Sequence, residues 1–208
     1  MTMIRQEQRQ RPDATALERL LAEIRTCRIC AAHLPLGPRP VLQADPRARL
    51  MIVGQAPGAR VHATGVPFND PSGDRLRDWL DLSREIFYDA GRVALVPTGF
   101  CYPGKGAGGD LPPRPECAST WQARMRRLLP QIGLTLLAGA HAQAHYLGRR
   151  RKPGLAETSA AWRDYAPDFW PIPHPSPRNR SWLERHPWFE AEVLPALRER
   201  VRALLGSR

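Results

Sequence analysis

Three kinds of residue in this chain have types and spacings suited to chemistry. Residues 170–182 read WPIPHPSPRNRSW, which sets His174 between prolines that stiffen its loop and follows it with Ser176, Arg178, Asn179 and Arg180. Those four supply donors of the kind that hold phosphate oxygens. The second stretch, Gly54-Gln55-Ala56-Pro57-Gly58, packs backbone N–H groups into a glycine turn that suits an anion or an oxyanion. Shortly after it, Gly65-Val66-Pro67-Phe68 brings an aromatic ring back toward the same turn, where it could stack on a planar ligand. The third set is the four cysteines. Cys27-x2-Cys30 is a chelating pair, and Cys101 and Cys117 flank the loop YPGKGAGGDLPPRPE. Two thiolates from each segment could complete a four-sulfur site for zinc or an iron-sulfur cluster. Each feature has a plainer reading as well: a loop histidine bonded to backbone, a core phenylalanine, four unrelated buried cysteines.

The elements that must position these groups follow from periodicity. Asp13 is a candidate N-cap, and Leu17, Leu20, Leu21 and Ile24 recur at helical spacing, so a first helix ends near Cys27. Leu50 to Val53 reads as a short buried strand running into the glycine turn. From Ser72 a helix carries Leu76, Trp79 and Leu80 on one face, with Asp74 as a possible cap. Val93 to Val96 is a second strand, leading to Cys101. Arg114 to Leu129 is helical through Trp121, Met125 and Leu128, Leu134 to Ala138 is a third strand, and a helix then runs through His145. Residues 149–159 are expected to be an exposed basic loop. Residues 168–172 form the fourth strand, and Leu194, Leu197, Val201 and Leu204 share one face of a last helix that Pro195 either starts or kinks. Alternating strands and helices predict a parallel sheet covered on both faces, a three-layer α/β/α fold. Ligands in such folds bind at the carboxyl ends of the strands, where Gly54 to Gly58, the loop around Thr98 to Cys101, and His174 to Pro177 are expected to converge on one edge.

Composition sets the outer limits. At 208 residues one core is expected, with 1–12 a loose tail and 13–208 a single domain. Lysine plus arginine outnumber aspartate plus glutamate by 31 to 20, and only Lys105 and Lys152 are lysine. An arginine-rich surface attracts polyanions, although it also follows from genome composition alone. Apolar runs stay far below the ~20 residues of a membrane span. The opening MTMIRQEQRQRPD lacks the apolar stretch of a secretory signal, so a cytoplasmic monomer without membrane contact is the expectation.

Taken together, GQAPG, GVPF, the spaced cysteines and HPSPRN resemble the uracil-DNA glycosylase superfamily, closest to its family 4 members with an iron-sulfur cluster. The likeness spans about residues 25–190, with the signatures in the family's order. It implies a four-stranded parallel sheet between helices, a 4Fe-4S cluster on Cys27, Cys30, Cys101 and Cys117 with zinc as the less favoured occupant, and removal of uracil from DNA. Carried over by position, Gln55 and His174 become the catalytic pair. Gly54, Ala56, Pro57, Gly58 and Phe68 hold the flipped base. Ser176, Arg178, Asn179 and Arg180 face DNA, with Arg178 as the wedge, since HPSPRN also resembles the version in the single-strand-selective glycosylases.

Two positions depart from the family pattern. Gln55 stands where family 4 members usually carry the glutamate of GEAPG, and an amide can orient water without accepting its proton. Pro97 stands where they have the asparagine that reads the uracil edge, which leaves that task to Thr98, Asn69 or backbone groups. Asp70 and Asp74 are nearby candidates to help activate water. Hypoxanthine or xanthine is therefore a competing substrate base, and a non-catalytic DNA-binding protein with a metal on its cysteines is the competing class.

Overall fold

The computed structural model describes residues 14–206; Asp13 and the tail at 1–12 lie outside them. The chain opens with α1 (Ala14–Arg25), which buries Leu17, Leu20, Leu21 and Ile24 as its periodicity requires. Strand β1 (Leu50–Val53) follows, buried along its whole length. Next come α2 (Ala59–Thr64), α3 (Pro71–Leu80), α4 (Arg84–Phe87) and β2 (Val93–Leu95). A small hairpin, β3 (Lys105–Gly106) with β4 (Gly109–Asp110), interrupts the route to α5 (Pro115–Arg127). Strand β5 (Leu134–Ala138), α6 (Ala140–Leu147), α7 (Leu155–Ala160), β6 (Phe169–Ile172), α8 (Arg180–Arg185) and α9 (Leu194–Leu205) complete the order.

The four long strands form one parallel sheet in the order β2-β1-β5-β6. Leu50 stands opposite both Val93 and Leu134, and Leu136 opposite Trp170. Strand side chains alternate between faces, so one tetrapeptide feeds two cores. Leu50 and Ile52 of β1 pack with Leu76, Trp79, Leu197 and Val201 of α3 and α9. Met51 and Val53 pack on the opposite side with Leu17, Ile24, Trp121 and Met125 of α1 and α5. The result is the expected three-layer α/β/α arrangement. Because the chain leaves β1 toward β2 and later returns to β1's other side with β5, the sheet has a switch point between β1 and β5. That crevice is where a ligand site is expected.

Several local expectations are revised. Helix α3 starts at Pro71, and its cap is Asp70, whose Oδ1 accepts from the Gly73 N–H at 2.9 Å. Asp74 instead sits in the first turn and pairs with Arg77, because a proline at N1 leaves the residue before it as the cap. The segment 149–159 is not all exposed loop. It contains α7, in which Thr158 and Ser159 are buried and Thr158 Oγ1 donates to the Gly154 carbonyl at 2.7 Å. A one-and-a-half-turn helix that buries hydroxyls has no apolar period to read. Pro195 starts α9 rather than kinking it, with a π-helical turn over Phe189–Val193 leading in.

Candidate active site and cysteine cluster

A cleft of about 450 Å³ opens over the carboxyl ends of β1, β2 and β6, a size typical of small-ligand sites. Gly54 through Gly58 form its floor on the β1 side. Three carbonyls of this turn are occupied: Gly54 accepts from the Thr98 N–H at 2.9 Å, Gln55 from the Gly99 N–H at 2.9 Å and Gly58 from the His62 N–H at 2.8 Å. The amides of Gln55, Ala56 and Gly58 have no acceptor among the described residues. A turn whose carbonyls face the protein and whose amides are free is arranged to receive negative charge.

Phe68 covers this turn. Its backbone adopts φ 54, which costs energy for a residue with a bulky side chain and has to be held by the surroundings. Gly73 makes it possible, since a Cβ there would overlap the Phe68 carbonyl. A Cβ at Gly54 would come within 2.9 Å of Phe68 Cζ, so the ring lies directly against the glycine. Its edge meets Phe87 at 6.1 Å between centroids, which anchors the ring from behind. Phe68 thus both packs on the core and lines the cleft.

His174 faces the cleft from the end of β6. Its loop is closed by the Asn179 side-chain amide, which donates to the His174 carbonyl at 2.7 Å, and is tied to α3 by Arg75 Nη1 donating to the Ser176 carbonyl at 2.9 Å. Gly139, at φ 89, ends β5 against His174, and a Cβ there would stand 3.1 Å from the histidine's own. Burial pushes the His174 imidazole below its ordinary pKa, opposed by the charges of Asp70 and Asp110. The ring makes no hydrogen bond to a described residue, so its N–H is available to a ligand.

Not every predicted site residue arrives. Ser176, Arg178 and Asn179 line the cleft with Gln55, Ala56 and Pro57. Arg180 is exposed outside it and pairs with Glu184 at 3.0 Å. Thr98 is buried, with Oγ1 donating to the Gly54 carbonyl at 2.8 Å, so its hydroxyl braces the turn. Asn69 points to Arg84 at 3.4 Å. Pro97 itself forms the wall, and its carbonyl accepts from Gln122 Nε2 at 2.7 Å, with Tyr146 donating to Gln122 Oε1 at 2.7 Å behind it. Residues missed in the sequence include Ser72 and the hairpin's Gly108, Gly109 and Asp110, all of which line the cleft. The glycine-rich GKGAGGD run was the available signal: so many glycines mark a close backbone approach.

The cysteines occupy a second, apolar cavity beside the first. Cys27 and Cys30 follow α1, Cys101 follows β2, Cys117 lies in the first turn of α5, and all four line the cavity with Phe100 and Trp121. They are unpaired thiols. The Phe100 N–H donates to Cys117 Sγ at 3.3 Å, and burial pushes the Cys101 and Cys117 thiols up to about 11 and about 12. Among the described residues no three histidine, cysteine or carboxylate side chains converge tightly enough to hold one metal ion. All four cysteines nevertheless line one cavity, the arrangement that a single shared group would require.

A family model, the Uracil DNA glycosylase superfamily, matches residues 42–198, from the entry to the central sheet into α9. The chain belongs to that superfamily. It is accordingly a DNA glycosylase for damaged bases, and its substrate is DNA. The match takes in all three cleft motifs of this glycosylase and two of the four cysteines, Cys101 and Cys117. Among the described residues no helix is long and apolar enough to cross a membrane.

Proposed function

We propose that this glycosylase excises uracil from DNA, flipping the nucleotide into the cleft and leaving an abasic site. The carrying observation is the convergence of the free amides of Gln55, Ala56 and Gly58, the Phe68 ring and the unpartnered His174 imidazole in one cleft. Breaking an N-glycosidic bond leaves a negatively charged base and a positively charged sugar. The amides and the His174 N–H stabilise that anion, which lowers the barrier more than any contact made equally in the ground state. Flipping costs a few kcal/mol, and stacking on Phe68 offsets about 1–3 kcal/mol of it. Arg178 and Ser176 hold the strand at the cleft mouth, and Arg180 contributes charge outside it.

The four cysteines would hold a 4Fe-4S cluster, as in the iron-sulfur members that the chain resembles. Its contribution would be structural, since Cys27 and Cys30 follow α1, Cys101 follows β2 and Cys117 opens α5, and a group held by all four would tie these elements together beside Pro97 and Gly99.

A second reading, hypoxanthine or xanthine as the base, is favoured by the wall at Pro97, where the family's edge-reading asparagine is missing and Thr98 is turned away. The deciding experiment incubates the protein with oligonucleotides carrying one uracil, hypoxanthine or xanthine, followed by alkaline cleavage. Strand scission is expected with uracil. Scission only at a purine moves the assignment to that base, and none with any of them leaves a DNA-binding protein whose signature is salt-sensitive binding without product.

A further inference from the structure

The cleft accounts for the departing base but leaves the incoming water without a proton acceptor. Gln55 cannot take a proton, and its Nε2 is already engaged, donating to the Leu111 carbonyl at 3.1 Å. Two carboxylates line the cleft. Asp70 is partly committed as the cap of α3 through Gly73. Asp110, the last residue of β4, is different. It is exposed to the cleft, and no described residue donates to its carboxylate, although the chain carries a net charge of +11.

Its place is built rather than incidental. Asp110 Oδ2 lies 3.3 Å from where a Cβ on Gly58 would stand, so the carboxylate leans closely over the turn of free amides, and a side chain at position 58 would push it back by a few tenths of an ångström. Its charge also reaches His174 from that position. On either side of Asp110 the hairpin is clamped: Arg178 Nη1 donates to the Gly108 carbonyl at 3.1 Å, and Gln55 Nε2 to that of Leu111. Gly109, at φ 136, adopts a conformation that favours glycine, and the Arg178 guanidinium lies directly against it, where a Cβ would displace it. Both motifs of the cleft therefore use a side chain to hold one short hairpin, and that hairpin presents one acid.

We infer that Asp110 accepts the proton of the attacking water, the role that glutamine at position 55 cannot fill. The inference rests on the glycosylase reading of the cleft. The C1′–N bond breaks with its electron pair on the base, whose charge is held by the 55–58 amides and His174. The water oxygen bonds to C1′, one of its protons passes to the Asp110 carboxylate, and the hydroxyl remains on the sugar. The proton then leaves for solvent, which restores the carboxylate. Gln55 and Arg178 act here as positioning residues for the hairpin.

The test compares full-length wild type, Asp110→Asn and Asp110→Ala in single-turnover cleavage with enzyme in excess, beside a DNA titration at fixed salt. A lost general base typically costs about 10²–10⁴-fold in rate. Both variants should fall into that range with DNA affinity unchanged, and added formate should restore a measurable part of the rate to Asp110→Ala, whose missing side chain leaves room for a small carboxylate. Wild-type rates in both variants overturn the assignment while leaving the glycosylase reading intact. So does a larger loss in Asp70→Asn, or a parallel fall in affinity and rate that formate does not reverse. A wild-type protein that releases no base from any modified oligonucleotide overturns the glycosylase reading, and the assignment with it.

Discussion

The cleft and the cysteine cavity share a wall, the segment after β2, and are otherwise opposites. Pro97 faces the cleft and Gly99 to Cys101 face the cavity. The cleft holds a histidine, two aspartates and unbonded amides, whereas the cavity is walled by prolines, Phe100 and Trp121 around four thiols. Proton transfer and anion stabilisation need groups that reach the cleft with a hydrogen-bonding position uncommitted. Ligation of a metal group needs sulfurs that are dry and rigid. A single segment can serve both because its start faces the cleft and its end the cavity, and because Gln122, Thr98 and the Phe100 N–H each pin one point of it.

If that division of labour is right, substitutions on the two sides should fail in different ways. The largest effect is expected from Cys117→Ser. Loss of a bound metal group is among the few single changes that cost more than about 4 kcal/mol, so, with the proposed cluster on the four cysteines, the brown colour expected of the wild type and its cooperative melting should be lost together. A colourless wild type with stoichiometric zinc would break the comparison at this point. Next is His174→Ala, which removes one donor to the departing base and should slow single-turnover cleavage on the order of a hundredfold or more. DNA affinity should stay nearly unchanged, and the melting temperature should move by no more than about 4 °C. A collapse in stability would mean that the histidine belongs to the scaffold.

Phe68→Ala should cost less, on the order of 10- to 100-fold in rate from about 1–3 kcal/mol of lost stacking, with DNA binding held by the phosphate contacts. Full activity in this variant would leave the ring only its packing on Phe87. The smallest effect is pH-dependent. Burial lowers the His174 and His62 pKa values in the folded protein, so the unfolded chain takes up protons first as pH falls through about 6.5. The stability that these two residues contribute is complete above that pH and declines below it. Urea midpoints measured from pH 7.5 down to 5 should therefore drift downward, and less so in His174→Ala.

By itself the sequence determined the sheet, because LMIV at 50–53 and LTLLA at 134–138 are too short and too apolar to be anything but buried strands, and it determined the helices α1, α5 and α9, whose long faces repeat every turn. It also marked the motifs at Gly54–Gly58, Phe68 and His174, since a turn and a stiff loop are written in adjacent glycines and prolines. What only the tertiary structure decided is which side chains are free. Thr98 and Asn69 look equally available beside the cleft until the fold turns one onto Gly54 and the other onto Arg84. Asp110 looks like a loop residue until Arg178, 68 positions later, and Gln55, 55 positions earlier, fasten its hairpin over Gly58. Hydrogen bonds across such separations leave no local period or propensity behind. They exist only once the sheet has brought the ends of its strands to one edge.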